Sequence, residues 1–138
     1  MVRMRTILHA TDFSEPSNHA LSLACSLARE QRARLIVLHV MPVALAREKE
    51  GFGEDMRAEL DRLAIPDVNL HVERRLVEGD PATQILQAAN ESDCDLIVLG
   101  THGRSGLSRL IMGSVAEQVV RLARCPVLTL KAPTSTGS

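Results

Sequence analysis

Asp95-Leu96-Ile97-Val98-Leu99-Gly100 decides the fold class. Its apolar residues run without a polar interruption between an acid and a glycine. A strand with one wet face alternates apolar and polar residues. An unbroken run is instead the pattern of a strand buried on both faces, at the centre of a parallel sheet. Parallel strands are joined by long crossovers, usually helices, so helical patterns are expected on both sides of it.

Upstream, Gly79-Asp80-Pro81 is a helix start, with Asp80 as cap and Pro81 at the first position, where its missing N–H does no harm. Ala82, Ile85, Leu86 and Ala89 form the apolar face of that helix. Before it, Val68 to Val77 alternates, with Leu70 and Val72 on one side and His71, Glu73 and Arg75 on the other, which predicts an edge strand. Phe52, Met56, Leu60 and Leu63 keep helical spacing up to Pro66, whereas residues 43–53 carry little pattern. Arg34 to Val40 reads as a strand stopped near Pro42, and Thr6 to Ala10 as the first strand. Between these two, Ala20, Leu21, Ala24, Leu27 and Ala28 mark a helix, capped by Asp12 or Ser14, with Pro16 in its first turn.

Downstream, a loop is expected from Thr101 to Met112. Ser114-Val115-Ala116-Glu117 reads as a capping box opening a fourth helix, and Cys125-Pro126 stops it. Val127 to Leu130 is the last strand. The pattern is βαβαβαβαβ: an open five-stranded parallel sheet with four helices on its two faces. One domain is expected over 1–132, with the small polar segment 133–138 as a disordered tail.

Composition narrows the function. Of 138 residues, 45% are hydrophobic and 24% charged, as in ordinary globular chains. The aromatic fraction is 1%: Phe13 and Phe52, with no Trp or Tyr. That argues against modules that stack nucleic-acid bases on aromatic rings, and excludes an aromatic cage. A net charge of −1 gives no pull toward nucleic acid or an anionic membrane. No apolar run approaches the ~20 residues of a membrane span, and the one behind the basic amino terminus is too short for a signal peptide, so a cytoplasmic location is expected. Cys25, Cys94 and Cys125 are odd in number and far apart in sequence, which fits reduced thiols.

In open α/β sheets, ligands bind outside the carboxyl ends of the strands, where the strand order reverses. Two segments fall at such ends: Ala10-Thr11-Asp12-Phe13-Ser14, and Gly100 through Ser114. The second exceeds the ~2–6 residues usual between strand and helix. Its glycines let backbone N–H groups approach an anion, and a helix start at Gly113-Ser114 would favour negative charge. Alternatively, Gly100 and Gly113 only form turns and Ser114 only caps a helix; spacing alone does not separate the two readings. The segment is not a P-loop, a G-x-G-x-x-G dinucleotide loop or a G-x-S-x-G elbow.

Gly100, Gly103, Gly113 and Ser114 fit G-x2-G-x9-G-[ST] without insertion. With Gly-Arg-Ser-Gly-Leu (103–107), Gly-Ser-Val-Ala-Glu (113–117), Cys-Pro-Val-Leu (125–128), Ala-Thr-Asp-Phe-Ser (10–14) and Val-Leu-His-Val (37–40), the chain resembles the ATP-binding subgroup of the universal stress protein family. The resemblance spans roughly Thr6 to Leu130. Leu122 and Arg124 stand where many relatives have His and Pro. It implies strand order 3-2-1-4-5 and an adenine nucleotide alpha-hydrolase-like fold, with Asp12 and the glycine-rich loop flanking one crevice. It also implies site roles. Backbone groups at Val40 and the Asp12 carboxylate would hold adenine and ribose, with Ala10 and Thr11 lining that end. Backbone N–H groups of Gly103, Gly113, Ser114 and Val115, with the Ser114 hydroxyl, would hold the phosphates of ATP, and Mg would bridge phosphate oxygens and waters.

His102, Arg104 and Arg109 are second-tier candidates for the γ-phosphate, since each is as well read as solvated. His9 and His39 are expected to be core histidines bonded to backbone groups. A His–Cys metal site lacks ligand spacing, and a Ser105–His102–Asp12 triad needs geometry that sequence does not supply. The expected function is an ATP-binding stress sensor or switch. The alternatives are a slow ATPase or autophosphorylating enzyme, for which no general base stands out, and an interaction module with a vestigial pocket. Under each, a homodimer through the apolar edge at Val127 to Leu130 is expected, along with an unidentified protein partner.

Overall fold

The computed structural model describes residues 3–101 and 106–131, with 106–112 described in backbone. The elements in chain order are β1 (Thr6–Ala10), α1 (Glu15–Gln31), β2 (Arg34–Met41), α2 (Val43–Glu48), α3 (Phe52–Arg62), β3 (Val72–Glu78), α4 (Pro81–Ser92), β4 (Leu96–Thr101), α5 (Gly106–Leu122) and β5 (Val127–Lys131). The sheet order is β3-β2-β1-β4-β5, and every neighbouring pair is parallel. This is the expected fold, with β3 and β5 at the edges.

Successive side chains of a strand point to opposite faces, so the buried strands feed two cores. On one face Leu8, Ile36, Leu38, Ile97 and Leu99 meet Ala82, Ile85 and Ala89 of α4 and Val119 of α5. On the other, Ile7, Leu35, Val37 and Val98 meet Ala20, Leu21, Ala24 and Ala28 of α1 and Leu60 of α3. Leu8, Ile36 and Ile97 are fully buried, each worth roughly 1.5–3 kcal/mol of burial. The alanine stripe of α1 lets its backbone lie close to the sheet, which matters for the site below.

The helix starts follow from capping chemistry. Ser14, not Asp12, caps α1, its hydroxyl accepting from the Ser17 N–H at 3.3 Å. Asp80 caps α4 as expected, accepting from the Thr83 N–H at 3.1 Å. Hydrogen bonds from the Thr83 hydroxyl and N–H hold the Asp80 carboxyl below the usual range.

Three expectations need correction. Among the described residues there are five helices rather than four, because 43–53 contains the short α2. It buries no residue, which is why it left no periodic signature. β3 begins at Val72 rather than Val68, because a turn comes first, with the Leu70 N–H on the Asp67 carbonyl at 3.2 Å and the Asn69 N–H on the Asp67 carboxylate at 2.9 Å. Finally, α5 starts at Gly106, so Ser114 does not open it. Apolar residues at 107, 111, 115 and 119 keep a four-residue spacing through Gly113, and one interior glycine weakens a helix by only ~1 kcal/mol. The expected tail at 133–138 lies outside the described residues. Among the described residues no helix is long and apolar enough to cross a membrane.

Candidate functional site

β1 is followed by a crossover to β2 on one side and is paired with β4 on the other, so the order reverses at its carboxyl end. Ala10 stands level with Leu38 of β2 and Leu99 of β4. The register with β2 stops there, two residues short of Val40. Ala10, Thr11, Val40 and Gly100 therefore gather at one end of the sheet, with Asp12 just beyond β1. Ala10, Thr11 and Val40 are buried and Asp12 is exposed.

The turn after β1 is held at every residue. The Thr11 N–H donates to the Leu38 carbonyl at 2.8 Å, extending the sheet by one bond. The Thr11 hydroxyl accepts from the Phe13 N–H at 2.9 Å. Phe13 sits at φ +67°, in the left-handed region that bulky residues rarely adopt. The Asp12 carboxylate accepts from the Ser14 N–H at 3.0 Å and from the Ser17 hydroxyl at 2.7 Å. Ser17 is fully buried, and its oxygen also accepts from the Asp12 N–H at 3.2 Å. An exposed carboxylate is thus fixed from beneath, as suits an acceptor for ligand hydroxyls.

Both strand histidines are core histidines bonded to backbone, as expected. His39 donates from Nδ1 to the Thr11 carbonyl at 2.8 Å, and His9 donates from Nδ1 to the Val98 carbonyl at 2.9 Å. A carbonyl partner requires that Nδ1 carry the proton, leaving Nε2 as a bare acceptor. The His9 Nε2 is buried without a hydrogen-bond partner among the described residues. Burial lowers the His9 pKa to about 4, against smaller raising effects of the Val98 bond and the Asp12 charge. Burial also lowers that of His39, opposed by the Thr11 bond and Asp12. Phe13 packs on His39, ring centroids 4.3 Å apart and tilted by 38°.

Gly100 has a packing reason of its own. A Cβ there would stand 2.5 Å from the Pro16 carbonyl oxygen and 2.9 Å from the Ser17 nitrogen. These are backbone atoms of the first turn of α1, which cannot swing aside. Gly100 thereby lets α1 lie directly over the end of β4.

The phosphate end differs from expectation. Gly113, Ser114 and Val115 lie inside α5, seven or more residues from its start at Gly106. Helical N–H groups beyond the first turn are bonded to carbonyls four residues back, so these three are not offered to an anion. Val115 packs against the α4 side of the core, and Ser114 is exposed. Gly103, His102 and Arg104, together with the Arg109 side chain, lie outside the described residues. No cluster of three or more His, Cys, Asp or Glu suited to a metal occurs among the described residues.

Sequence reasoning missed two supports, Ser17 and the positioning role of His39. The signal for Ser17 was present: hydroxyls at Ser14 and Ser17 keep three-residue spacing after Asp12. At the opposite end of the sheet lies a hollow of about 470 Å³ bordered by Arg5, Arg29, Arg32, Arg34 and His71. It shares no residue with the expected site.

A family model described as "Universal stress protein family" matches residues 4–131. Universal stress protein MJ0531 of Methanocaldococcus jannaschii is 34% identical, over 94% of this chain and 83% of its own. A universal stress protein of Thermus aquaticus is 35% identical, over 92% and 98%. Among solved structures, a universal stress protein from Archaeoglobus fulgidus aligns with TM-score 0.77 at 27% identity, over 94% of this chain and all of its own (100%). At 24% identity, where likeness speaks for the fold alone, stand a universal stress protein in complex with cAMP (TM-score 0.77; 96% and 100% covered) and the Archaeoglobus fulgidus protein in complex with dAMP (TM-score 0.73; 95% and 100% covered). With its sheet order and the family match over nearly its whole length, the chain belongs to the universal stress protein family.

Proposed function

We propose that this protein binds an adenine nucleotide at the carboxyl end of β1 and serves as a nucleotide-dependent switch in a stress response. The observation that carries the reading is Asp12, exposed at the switch point of the sheet, its carboxylate held by the Ser14 N–H and the Ser17 hydroxyl. A carboxylate fixed in this way suits the paired hydroxyls of a ribose. The edge of β2 at Val40, beyond its register with β1, suits the polar edge of a purine. Family members solved with cAMP and dAMP support the ligand class.

ATP is the ligand we favour, with phosphates directed toward α5. Capture by backbone N–H groups at Gly113, Ser114 and Val115 requires α5 to open ahead of Gly113. Glycine makes that break inexpensive, because it holds a helix less firmly than any residue but proline. In this reading, phosphate binding is coupled to loss of the two turns from Gly106 onward. Mg would ride on the phosphates and waters rather than in a protein cage, in keeping with its preference for few protein ligands.

Turnover is not needed by this reading; slow hydrolysis or autophosphorylation at the Ser114 hydroxyl is the second one. The continuous α5 favours a third, an interaction module with a vestigial pocket. We also assign a homodimer, joined through the edge strand β5, and a cytoplasmic setting.

Calorimetric titration with ATP, ADP, AMP and cAMP, with and without Mg, tests the reading. ATP binding that weakens at least tenfold in Asp12→Asn supports it. If no adenine nucleotide at millimolar concentration raises the melting temperature, the vestigial module takes its place. Multiple turnovers of labelled ATP that vanish in Ser114→Ala would establish the enzyme.

A further inference from the structure

Cys94 and Cys125 are 31 residues apart in sequence, yet their sulfur atoms stand 3.6 Å apart. Both are free thiols. Each lies just ahead of a strand, Cys94 before β4 and Cys125 before β5, at the end of the sheet opposite Asp12. The two backbones are tied together there: the Ile97 N–H donates to the Pro126 carbonyl at 3.0 Å, and Ile97 is level with Val127. Neighbouring strands run about 4.8 Å apart, and carrying the Ile97–Val127 register back two residues sets Cys125 level with Asp95, one residue from Cys94, an offset that still fits the roughly 4.4–6.8 Å a disulfide spans between Cα atoms. Closing the sulfur gap to about 2.05 Å therefore asks for side-chain rotation rather than movement of the sheet.

Access is asymmetric. A small cavity of about 130 Å³ is lined by Asn90, Asp93, Arg124 and both cysteines. Cys94 is 8% exposed, whereas Cys125 is half-buried. Burial pushes the Cys94 thiol up to about 12, and the neighbouring Cys125 adds to the rise. Cys94 is thus kept protonated, and Cys125 is the sulfur an incoming reagent meets. Cys25 lies on the other face of the sheet, in the α1 core, away from the pair.

We propose that Cys94 and Cys125 form an oxidisable dithiol that a hydroperoxide converts to an intramolecular disulfide. The Cys125 thiolate attacks the outer peroxide oxygen. An S–O bond forms, the O–O bond breaks, and the alcohol or water departs with the thiol proton. Cys94 then attacks the Cys125 sulfur. The S–S bond forms, the S–O bond breaks, and the hydroxide leaves as water with the Cys94 proton. The thiol pair loses two electrons and the peroxide gains them. Such a bond would clamp the start of β5 to that of β4.

The test uses the whole protein, first reduced, then exposed to hydrogen peroxide, unfolded and alkylated. The count of alkylatable thiols should fall from three to one, Cys25, with a mass loss of two hydrogen atoms. Tryptic mapping should join the Cys94 and Cys125 peptides, and dithiothreitol should restore all three thiols. Cys25→Ala should keep the link and Cys125→Ser should abolish it. The wild-type map decides the matter even if a variant folds poorly. Cys125 driven to sulfinic acid without a link, a link that includes Cys25, or one between two copies would each overturn the proposal.

Discussion

The backbone of Pro16 occupies the space where a side chain at Gly100 would begin, with the Pro16 carbonyl oxygen 2.5 Å from the Cβ position. The fold and the candidate site share this contact, since α1 carries Ser17, Ser14 caps it, and β4 leads into the glycine-rich segment. Gly100→Ala should destabilise the protein by roughly 1–3 kcal/mol, the usual range for overpacking where backbone must shift. Urea unfolding should show a lower midpoint with an unchanged slope.

Acid should weaken the protein through His9 and His39. Both have folded pKa values below the unfolded value near 6.5, that of His9 about 4. The unfolded chain therefore binds more protons in that window. The stabilisation is complete above pH 6.5 and is lost as pH falls toward 4. For His9 it amounts to about 3 kcal/mol, because a tenfold difference in proton affinity between folded and unfolded chain is worth roughly 1.4 kcal/mol. Melting temperatures across this range should fall in the wild type and flatten in a folded His9→Gln variant.

Ser17→Ala removes a buried hydroxyl that both donates to the Asp12 carboxylate and accepts from its N–H. A loss of about 1–2 kcal/mol is expected, the net worth of such bonds plus an orphaned partner. If Asp12 holds ribose, nucleotide affinity should fall as well, measured by calorimetry at a temperature where the variant is fully folded.

Gly113→Ala separates a helix that opens from one that does not. Alanine would strengthen α5 by about 1 kcal/mol. Should phosphate binding require the break, ATP affinity drops roughly fivefold while the melting temperature of the free protein rises. Equal or tighter binding in the variant would remove the opening from the mechanism.

Leu128 is 37% exposed on the edge strand β5. Leu128→Arg should therefore disrupt pairing between copies, since charge on an edge blocks added strands. Light scattering at micromolar protein should give a dimer mass for the wild type and a monomer mass for the variant.

The sheet was legible because burial on two faces writes an unbroken run, as in Leu96 to Leu99; β3, half-buried over most of its length with Val72 and Leu76 on one core and Val77 on the other, was legible as an edge through its interspersed charges. The α1 and α4 starts were legible through Ser14, Asp80 and their prolines. What escaped had physical reasons. α2 buries nothing and so leaves no period. At Ser114 a capping-box pattern competes with a four-residue apolar spacing that runs through Gly113, and in the structure the spacing prevails. At the site, the exposed Asp12 could be placed only through family likeness, and its buried support by Ser17 needed three-dimensional contacts. The cysteines looked unrelated because sequence distance hides the parallel register, which brings Cys125 to within one residue of level with Cys94.

The contact between Phe13 and His39 gives the molecule an internal reporter that its composition otherwise denies it. Without tryptophan or tyrosine there is no useful intrinsic fluorescence. A phenyl ring 4.3 Å from an imidazole, however, shifts the imidazole carbon-bound protons through its ring current. His39 also holds the turn that carries Asp12. Its proton resonances therefore follow any movement of that turn by fractions of an ångström, in unlabelled protein and without an added probe.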